Sequence, residues 1–373
     1  MRYRVAEFIG SIQDGGAETI VRDYALMLDK SKYAVIVIVL RRSPENSNDK
    51  VLVQNGIKII PIFKNNNLLC KIVQKMNYWW YVPLTLRKIL REEKIDVLHI
   101  HMTLLHYVKR VAYSIKDVKL FYTCHTLPKR LFQGKNKREF KAAIQLIKKN
   151  DLQLIALHNQ MKIELNALFD IDNTIVLRNG VDFRKYQNCG SKQENRKYVG
   201  IPQDAFVIGH IGRFESMKNH DFLVDVFNVI QKKNKDAFLL MIGSGRLKRD
   251  IINRLEKLGL SEKYLILEHR EDIPNLLTTM DAFVFPSKYE GLGIALIEAQ
   301  LAGLRCIASD NVPHEAFCSD NVIAMSLQDS LEEWSNMCLG ISPNCESMSN
   351  MEEYDMNQVI KLLESLYAGE LNV

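Results

Sequence analysis

Two glutamates and two glycines lie close together in the last third of the chain. Glu290 and Glu298 stand eight residues apart in the run Phe285–Gln300, which reads FPSKYEGLGIALIEAQ. Residues Asp281–Phe285 predict a strand that ends at the following proline. The residues after it predict a helix that begins within Leu292–Ile294 and carries Glu298 about one turn inside. One carboxylate would then lie at the mouth of the helix and the other along its flank.

The backbone between these glutamates is suited to binding phosphate. N–H groups near the glycines would point out of the helix N-terminus, whose partial positive charge attracts anions. A nucleotide diphospho-sugar fits this layout, with its sugar hydroxyls at Glu290, its diphosphate at the amides and its ribose at Glu298. The alternative is an ordinary strand, turn and helix with two solvated glutamates, because charged side chains are usually exposed.

Two cations follow an earlier predicted strand, Phe206–Gly209. Arg213 offers a planar fork and Lys218 a point charge, five residues apart across a turn that contains Gly212. A pyrophosphate leaving group needs two such cations when no metal neutralises it. Exposed surface cations are the alternative for each residue taken alone, but the strand–helix junction favours a phosphate site.

Glycines also open a helix near the start of the chain. Gly15 and Gly16 follow the first predicted strand, so the backbone could approach a ligand closely there. The run is not GxGxxG, so a dinucleotide fingerprint is absent, and a helix-entry turn without a ligand fits equally well. Two later loops also follow strands. Gly243–Gly245 is a possible neighbour of the phosphate, and the backbone at Ile273 could contact a nucleobase.

Three histidines end predicted strands in the first half of the chain. His125 follows the strand Lys119–Thr123, which would place it at a ligand crevice where it could hydrogen-bond a sugar hydroxyl. A structural histidine fits that position equally well. His99 and His101 end the next predicted strand upstream. We expect one of these two rings on each face of the sheet, so that at most one reaches the ligand, and we assign His101 to the acceptor side.

The composition is that of a globular protein with room for two domains. The chain has 373 residues, of which 47% are hydrophobic and 25% charged. No apolar run is long enough for a membrane span, and the first residues run into a strand without the features of a signal peptide. The seven cysteines are scattered without a CxxC pair. We therefore expect a reducing cytosol and neither a disulfide framework nor a zinc site.

The charge is divided unevenly along the chain. Residues 1–180 contain 30 Lys and Arg against 16 Asp and Glu, whereas residues 181–373 contain 20 against 28. Two basic stretches, Leu68–Arg91 with Trp79 and Trp80 and Leu127–Lys149, suit an anionic membrane surface. The alternative is a solvated helix face with the tryptophans in the core. Nucleic acid is not expected as a partner, because no nucleic-acid-binding motif accompanies the charge.

Strands alternate with helices along the whole chain, which predicts parallel sheets covered by helices. The series restarts after residue 190, and the polar stretch Gln187–Lys197 resembles a linker. A ligand would bind at the carboxyl ends of the strands. The predicted strands are Arg4–Ile9, Ala34–Leu40, Lys58–Ile62, Asp96–Ile100, Lys119–Thr123, Gln153–Leu157, Thr174–Leu177, Phe206–Gly209, Ala237–Ile242, Tyr264–Leu267, Asp281–Phe285 and Leu304–Ala308.

Together these motifs resemble the retaining family 4 glycosyltransferases of the GT-B fold. Each motif is weak alone, but the ordered set is specific and covers nearly the whole chain. The variant around Glu290 resembles transferases of bacterial capsule and exopolysaccharide assembly. The motifs, in the family's order, are Gly15-Gly16-Ala17-Glu18, His125-Thr126, Asn179-Gly180-Val181-Asp182, Arg213 with Lys218-Asn219-His220, and Glu290 with Glu298.

The resemblance implies an α/β fold of two doubly wound Rossmann-like domains whose parallel sheets face each other across a cleft. Residues 1–186 would form the acceptor-binding domain and residues 187–353 the nucleotide-sugar-binding domain. Residues 354–373 would form a C-terminal helix that crosses back to the first domain. Closure about Asn179–Asp182 would assemble the site.

The resemblance also implies a role for each site residue. The expected catalytic groups are Glu290, His125, Arg213 and Lys218. The donor contacts that it implies are Arg213 and Lys218 to the diphosphate, Glu298 to the ribose, Glu290 with the amides of Leu292, Gly293 and Ile294 to the sugar and phosphate, Gly16 to the phosphate, and His125 to the sugar. Gly15, beside Gly16, and Ile273, whose loop backbone could contact a nucleobase, are further expected donor contacts.

The implied reaction moves a sugar from a nucleotide diphospho-sugar, a UDP-sugar, to a polyprenyl-pyrophosphate-linked glycan with retention of configuration. No metal and no cofactor are expected, and the expected location is cytoplasmic, peripheral at the inner face of the cell membrane. One alternative is a GT-B UDP-sugar 2-epimerase, which would lack a surface for a lipid acceptor. Another is a non-catalytic, membrane-associated partner subunit of a transferase, which would have no need of all four charged groups.

Overall fold

The computed structural model describes residues 2–13, 15–63, 68–132, 137–340 and 351–370, with the backbone alone for residues 68–78. It divides into two compact units. The first comprises Met1–Asn179 and Asn357–Val373, and the second comprises Gly180–Met356. The chain therefore passes between the units twice, and the predicted hinge at Asn179–Asp182 contains one of these passages.

The first unit contains a seven-stranded parallel sheet in the order β3-β2-β1-β4-β5-β6-β7. Its strands are β1 (Tyr3–Ile9), β2 (Tyr33–Arg41), β3 (Lys58–Phe63), β4 (Val97–His101), β5 (Lys119–Thr123), β6 (Gln153–Ala156) and β7 (Ile175–Val176). Its first helices are α1 (Gly16–Met27), α2 (Ser47–Gln54), α3 (Leu68–Glu92), α4 (Leu105–Val108), α5 (Pro128–Phe132), α6 (Lys137–Asn150) and α7 (Asn159–Phe169).

The second unit contains a six-stranded parallel sheet in the order β10-β9-β8-β11-β12-β13. Its strands are β8 (Phe206–Ile211), β9 (Ala237–Ile242), β10 (Tyr264–Leu267), β11 (Ala282–Phe285), β12 (Arg305–Ser309) and β13 (Val322–Met325). Its helices are α8 (Lys192–Val199), α9 (His220–Lys233), α10 (Lys248–Lys257), α11 (Ile273–Thr278), α12 (Ile294–Leu301) and α13 (Leu331–Leu339). Across both units, short 3-10 helices lie at Ala112–Ser114, Phe183–Tyr186, Ser216–Lys218, His314–Ala316 and Met351–Tyr354.

The twelve predicted strands correspond to β1–β12, and the prediction of two Rossmann-like α/β units is confirmed. The central strands β9, β11 and β12 are buried at every position, as continuous apolar runs in a parallel sheet require. The strand β13, at the edge of the second sheet, was not predicted. The stretch Gln187–Lys197 lies inside the second unit, where Ser191 and Glu194 form a capping box that begins α8.

The C-terminal helix α14 (Met356–Ala368) packs on the first unit, as predicted. The Tyr33 hydroxyl donates to the Glu364 carbonyl at 2.9 Å, and the Asp29 amide donates to the Glu364 carboxylate at 2.8 Å. Tyr367, on the same helix, is fully buried against the sheet. The helix therefore completes the core of the unit that the chain left after Asn179.

Both sheets place their first strand in the middle. In the first unit β1 lies between β2 and β4, and in the second β8 lies between β9 and β11. Successive connections leave such a strand in opposite directions and open a crevice at its carboxyl end, where ligands of α/β sheets bind. The residues that follow β1, β4, β8 and β11 are therefore those that the fold brings to a ligand. Among the described residues, no helix combines the length and the apolar character needed to cross a bilayer.

Candidate active site

A buried ion pair joins the loops after β8 and β11 in the second unit. Lys218 Nζ lies 2.7 Å from Glu290 Oε1, with side-chain exposures of 15% and 7%. The same ammonium lies 4.6 Å from the centre of the Phe285 ring. Residues 72 positions apart in the sequence thus meet at the crevice beside β8 because β8 and β11 are neighbours. Their shielding from water strengthens the pair and fixes both charges in place.

The backbone around each partner is held in a left-handed conformation. Asn219 has φ 58° and separates the 3-10 helix that ends at Lys218 from α9. Gly293 has φ 97° and precedes α12, which begins at Ile294 as predicted. Asparagine and glycine are the residues that adopt this conformation most readily. Glu290 therefore lies in the loop before α12 and Glu298 within it, as the sequence predicts.

Arg213 lies near this pair, because it lines a pocket together with Met217 and Tyr289, the residues that precede Lys218 and Glu290. It is exposed and lines an open pocket of about 240 Å³. Of the lining residues, the sequence indicated only Arg213 as a site residue and gave no role to Arg246 or Tyr289, although Arg246 directly follows the loop Gly243–Gly245. The Arg246 Nε lies 2.9 Å from a Glu215 carboxylate oxygen. The pocket is lined by Arg213, Glu215, Ser216, Met217, Arg246 and Tyr289.

The loops that carry Arg213 and Arg246 pack backbone against backbone. The Phe214 amide donates to the Ser244 carbonyl at 2.8 Å, and the Leu247 amide donates to the Phe214 carbonyl at 3.0 Å. Gly245 has φ 151°, and a Cβ there would lie 2.7 Å from Phe214 N and O. Glycine is therefore required at this position, and the contact holds the two arginine-bearing loops side by side.

A methyl group at Gly245 should disrupt this packing. Gly245→Ala should lower the free energy of unfolding by about 2–4 kcal/mol, because it combines backbone strain with a clash against backbone atoms that cannot move aside. Chemical denaturation of the purified variant measures the change. Gly259→Ala is the matched control: Gly259 has φ 72° but open space around its Cβ position, so about 1 kcal/mol is expected. Equal losses in the two variants would contradict the close packing.

Two buried histidines support the Lys218 loop without adding charge. His210 Nδ1 donates to the Val284 carbonyl at 2.8 Å, and the His220 ring stacks on Phe214. Burial lowers the pKa of His210 to about 4 and the pKa of His220 to about 2. Both imidazoles are therefore neutral near pH 7, and the cations at this crevice are lysine and arginine.

The second predicted carboxylate, Glu298, has a partner that sequence reasoning missed. The Tyr186 hydroxyl donates to Glu298 Oε1 at 3.1 Å. Burial, followed by the nearby Glu298 charge, holds the pKa of Tyr186 far above its usual value, so the phenol is a permanent donor. Glu298 is partly exposed on α12, where it can accept further hydrogen bonds.

Ile273 lies farther from this centre. It is the first residue of α11, which follows the edge strand β10, and β9 separates that strand from β8. Arg270 and Asp272, in the preceding loop, form a two-point ion pair at 2.7 and 2.5 Å. The structure thus places Ile273 at the carboxyl edge of the same sheet, after a strand that lies two positions from β8.

Gly15 and Gly16 begin α1 in the first unit, as predicted. The Glu18 carboxylate lies in the space that a Cβ of Gly15 would occupy, whereas the Cβ position of Gly16 is open. An acidic side chain in the first turn also favours the helix N-terminus. The helix therefore carries its own anion beside Gly15, and Gly16 is the position with room for a ligand.

His99 and His101 lie on the same face of β4, so the expectation of opposite faces is wrong. Side chains alternate along a strand, which places residues two positions apart together. Their ring centroids are 4.3 Å apart, and both rings are fully buried. His101 therefore does not itself reach an acceptor. It contacts His125 instead, through His101 Nδ1 and His125 Nε2 at 2.8 Å, and His125 is partly exposed.

Glu7 completes this cluster from the neighbouring strand β1. Among the described residues, Glu7, His99 and His101 form the group whose potential metal-ligand atoms lie within 4.8 Å of one another. Each of the three side chains is already hydrogen-bonded to a neighbour, and all are fully buried. The three side chains therefore form a buried hydrogen-bond network inside the sheet, which continues from His101 to His125.

Comparison with known proteins relates the chain to glycosyltransferases. Residues 14–185 match the family model Glycosyltransferase Family 4, and residues 191–329 match the model Glycosyl transferases group 1. The Escherichia coli UDP-Gal:alpha-D-GlcNAc-diphosphoundecaprenol alpha-1,3-galactosyltransferase is 31% identical over 237 residues, 61% of each chain. The match thus spans less than two thirds of that relative. Bacillus subtilis putative glycosyltransferase EpsF is 27% identical over 89% of this chain and 85% of its own.

Solved structures show the same fold. The Anabaena Alr3699/HepE structure in complex with UDP and glucose superposes with a TM-score of 0.80 at 16% identity, over 99% of this chain and 100% of that one. Identity at this level is evidence for the fold alone, which is the GT-B type. The two family models are consecutive and together match most of the chain. The chain is therefore a glycosyltransferase, with a family 4 region followed by a group 1 region.

Proposed function

We propose that this chain transfers a sugar from a UDP-sugar to a lipid-linked glycan during assembly of a bacterial surface polysaccharide. The observation that carries the proposal is the buried Lys218–Glu290 pair, with Arg213 near it, at the crevice of the second unit. The name of the Escherichia coli relative, which specifies a UDP-sugar donor and a diphosphoundecaprenol acceptor, supports the same substrate classes.

The donor diphosphate binds between Lys218 and Arg213 in this proposal. Lys218 supplies a localised charge from a shielded position, and Arg213 supplies a planar fork from the exposed rim. Glu290 Oε1 is engaged by Lys218, and Glu290 Oε2 has no hydrogen-bond partner within the described parts of the chain. That oxygen accepts from a sugar hydroxyl. The amides of Leu292, Gly293 and Ile294 contribute at the start of α12.

The transfer keeps the anomeric configuration. The bond between the anomeric carbon and the β-phosphate oxygen breaks, and its electron pair goes to that oxygen. The acceptor hydroxyl attacks from the same face and gives its proton to the departing phosphate oxygen as the new glycosidic bond forms. Lys218 and Arg213 stabilise the charge on the leaving diphosphate, which is the role that a metal ion has in other transferases.

The first unit binds the lipid-linked acceptor at the inner face of the cell membrane. Trp79 and Trp80, near the middle of α3, are 40% and 70% exposed rather than in the core. The Arg110 guanidinium lies 4.3 Å from the Trp79 ring centre, and that of Arg138 lies 4.4 Å from it. Exposed tryptophans among arginines suit the headgroup region of an anionic bilayer. The basic stretches contain three further lysines whose side chains the structure does not describe: Lys71, Lys75 and Lys135.

The reaction is tested by incubating the chain with UDP-sugars, with and without a polyprenyl-diphosphate-linked sugar. UDP-galactose with GlcNAc-diphosphoundecaprenol, the pair in the relative's name, is the first combination. We expect release of UDP that depends on the acceptor and persists in EDTA. An epimerised sugar from the donor alone would favour the epimerase alternative. A folded chain that binds no uridine nucleotide would favour the non-catalytic subunit.

Membrane binding is tested by intrinsic fluorescence. The chain has three tryptophans, and the third, Trp334, is fully buried, so a change on adding vesicles reports Trp79 and Trp80. We expect a blue shift with phosphatidylglycerol vesicles that weakens with salt and is absent in Trp79→Ser/Trp80→Ser. Neutral phosphatidylcholine vesicles are the control. An equal shift with both lipids, or none with either, would contradict binding to an anionic surface.

Glu298 should contribute to donor binding rather than to the chemical step. Glu298→Gln should raise the KM for UDP-sugar about tenfold with little change in kcat, because a charge-assisted hydrogen bond to the ribose is the same before and during transfer. Tyr186→Phe, which removes a hydrogen bond that Glu298 Oε1 accepts within the protein, is the control and should leave KM within about twofold. A large loss of kcat in Glu298→Gln would argue against a ribose contact.

A further inference from the structure

A line of hydrogen bonds connects the buried Glu7 carboxyl to His125. Glu7 Oε2 lies 2.7 Å from His101 Nε2, and His101 Nδ1 lies 2.8 Å from His125 Nε2. Glu7 and His101 are fully buried, whereas His125 is partly exposed at the carboxyl end of β5. His125 Nδ1 has no hydrogen-bond partner among the residues that the structure describes. The line thus runs from the core of the sheet to a partly exposed side chain, whose second ring nitrogen is available for a further hydrogen bond.

We propose that Glu7 and His101 are positioning residues that decide which ring nitrogen of His125 carries the proton. They thereby set whether His125 Nδ1 acts as a hydrogen-bond donor or acceptor toward the sugar ligand. This inference rests on the proposed sugar transfer for its activity measurement. Its spectroscopic measurement is independent of that function.

The geometry allows two self-consistent proton arrangements. When Glu7 is protonated on Oε2, it donates to His101 Nε2. His101 Nδ1–H then donates to His125 Nε2, and the proton of His125 is on Nδ1, facing outward. When Glu7 is ionised, the donor and the acceptor of each hydrogen bond in the line exchange roles. His101 Nε2 then donates to Glu7, His125 Nε2 donates to His101, and His125 Nδ1 presents a lone pair. A neutral imidazole carries one N–H, so no mixed arrangement satisfies both hydrogen bonds.

The other oxygen of Glu7 determines where its proton resides. The Tyr367 hydroxyl, from α14, donates to Glu7 Oε1 at 2.9 Å, so the carboxylic proton is left to Oε2. The Tyr367 oxygen in turn accepts from His99 Nδ1 at 2.7 Å. Tyr24, from α1, also faces Glu7. Within the described part of the chain, the titratable groups around Glu7 are therefore His99 and His101 of β4, Tyr24 of α1 and Tyr367 of α14.

Burial favours the neutral arrangement. It raises the pKa of Glu7 to about 8 and lowers the pKa of His101 to about 3. Near pH 7 the carboxyl is therefore protonated, both imidazoles are neutral, and His125 presents Nδ1–H. As the pH rises through 8, one proton leaves from His125 Nδ1 to water. The Glu7 proton moves to His101 Nε2, and the His101 Nδ1 proton moves to His125 Nε2. The negative charge is then on Glu7.

The histidine tautomer is read directly by imidazole ¹⁵N–¹H NMR on chain labelled at histidine, with His125→Asn used to identify the His125 signals. In the unaltered chain we expect a protonated Nδ1 below pH 8 and a protonated Nε2 above it. A His125 tautomer that does not respond to pH would overturn the proposal, and this measurement needs no variant of Glu7.

Glu7→Gln tests the role of Glu7. The glutamine amide can donate to His101 Nε2 while its carbonyl accepts from Tyr367, which reproduces the protonated carboxyl at every pH. His125 should then keep its proton on Nδ1 above pH 8 as well. Thr123→Val is the matched control, because it removes an equally buried 2.7 Å hydrogen bond to His99 Nε2 outside the line. A pH-dependent tautomer that persists in Glu7→Gln would overturn the proposal.

The pH dependence of kcat/KM provides a second test of the proposal. In the unaltered chain kcat/KM should fall about tenfold per pH unit above the pKa of Glu7, as His125 loses its donor. Glu7→Gln should remove this alkaline fall, and a fall that persists would overturn the proposal. If the NMR result is as expected but no sugar is transferred, the proposed function fails while the assignment of Glu7 and His101 stands.

Discussion

Lys218→Ala should lower kcat at least about a hundredfold while the chain remains folded, because it removes a cation that stabilises the leaving diphosphate. The affinity for UDP should fall as well, since the same charge contacts the product. Steady-state kinetics and calorimetric titration with UDP measure the two effects. Lys218→Arg, which keeps the charge, should retain part of the activity.

Loss of the lysine also leaves Glu290 buried without a counter-charge, which lowers stability. The double variant Lys218→Ala/Glu290→Gln removes that penalty, so it should regain stability without regaining activity. Lys233→Ala is the matched control, because Lys233 lies at the far end of α9 and pairs with Glu332 at 2.5 Å. Near-normal turnover in Lys218→Ala would contradict the assignment of Lys218 to the donor site.

Glu290→Gln should also lower kcat about a hundredfold or more, but with the opposite effect on UDP. The amide keeps the shape of the side chain and loses the charge that orients Lys218 and binds the sugar. Since the lysine charge is then no longer shared with a carboxylate, UDP should bind as tightly as before or more tightly. Competition between UDP and the donor measures this.

Lys218→Ala should weaken UDP binding, whereas Glu290→Gln should not. This difference distinguishes a donor site from an ion pair that only stabilises the fold. If the pair only held the fold together, both variants would weaken UDP binding together. Glu332→Gln, the partner of the control lysine, should leave both kcat and UDP affinity unchanged. Weaker UDP binding in Glu290→Gln would contradict the arrangement of diphosphate and sugar around the pair.

The sequence predicts where the site residues lie relative to the strands, but it does not predict which side chains they contact. Lys218 and Glu290 could each be placed at the end of a strand, because alternating strands and helices specify a parallel sheet and ligands bind at its carboxyl edge. Their contact depends on β8 and β11 being neighbours, which is a property of strand order. Hydrophobic periodicity carries no information on strand order. The ion pair therefore appears only in the structure.

For the same reason, the sequence did not predict which side chains from distant parts of the chain contact each other. Tyr367 reaches Glu7 across 360 positions, and Tyr186 reaches Glu298 across 112. One signal was present: Glu7 is a lone carboxylate in the otherwise apolar centre of β1, which indicates a buried polar network. The error over His99 and His101 has a simpler cause, since the two-residue period of a strand already places them on one face.

The most direct test of the donor site is a crystal structure of the chain with UDP bound. We expect the diphosphate to lie within ion-pair distance of both Lys218 Nζ and the Arg213 guanidinium, with the ribose at Glu298. Phosphorus atoms bound at another edge of the sheet, remote from both cations, would contradict it.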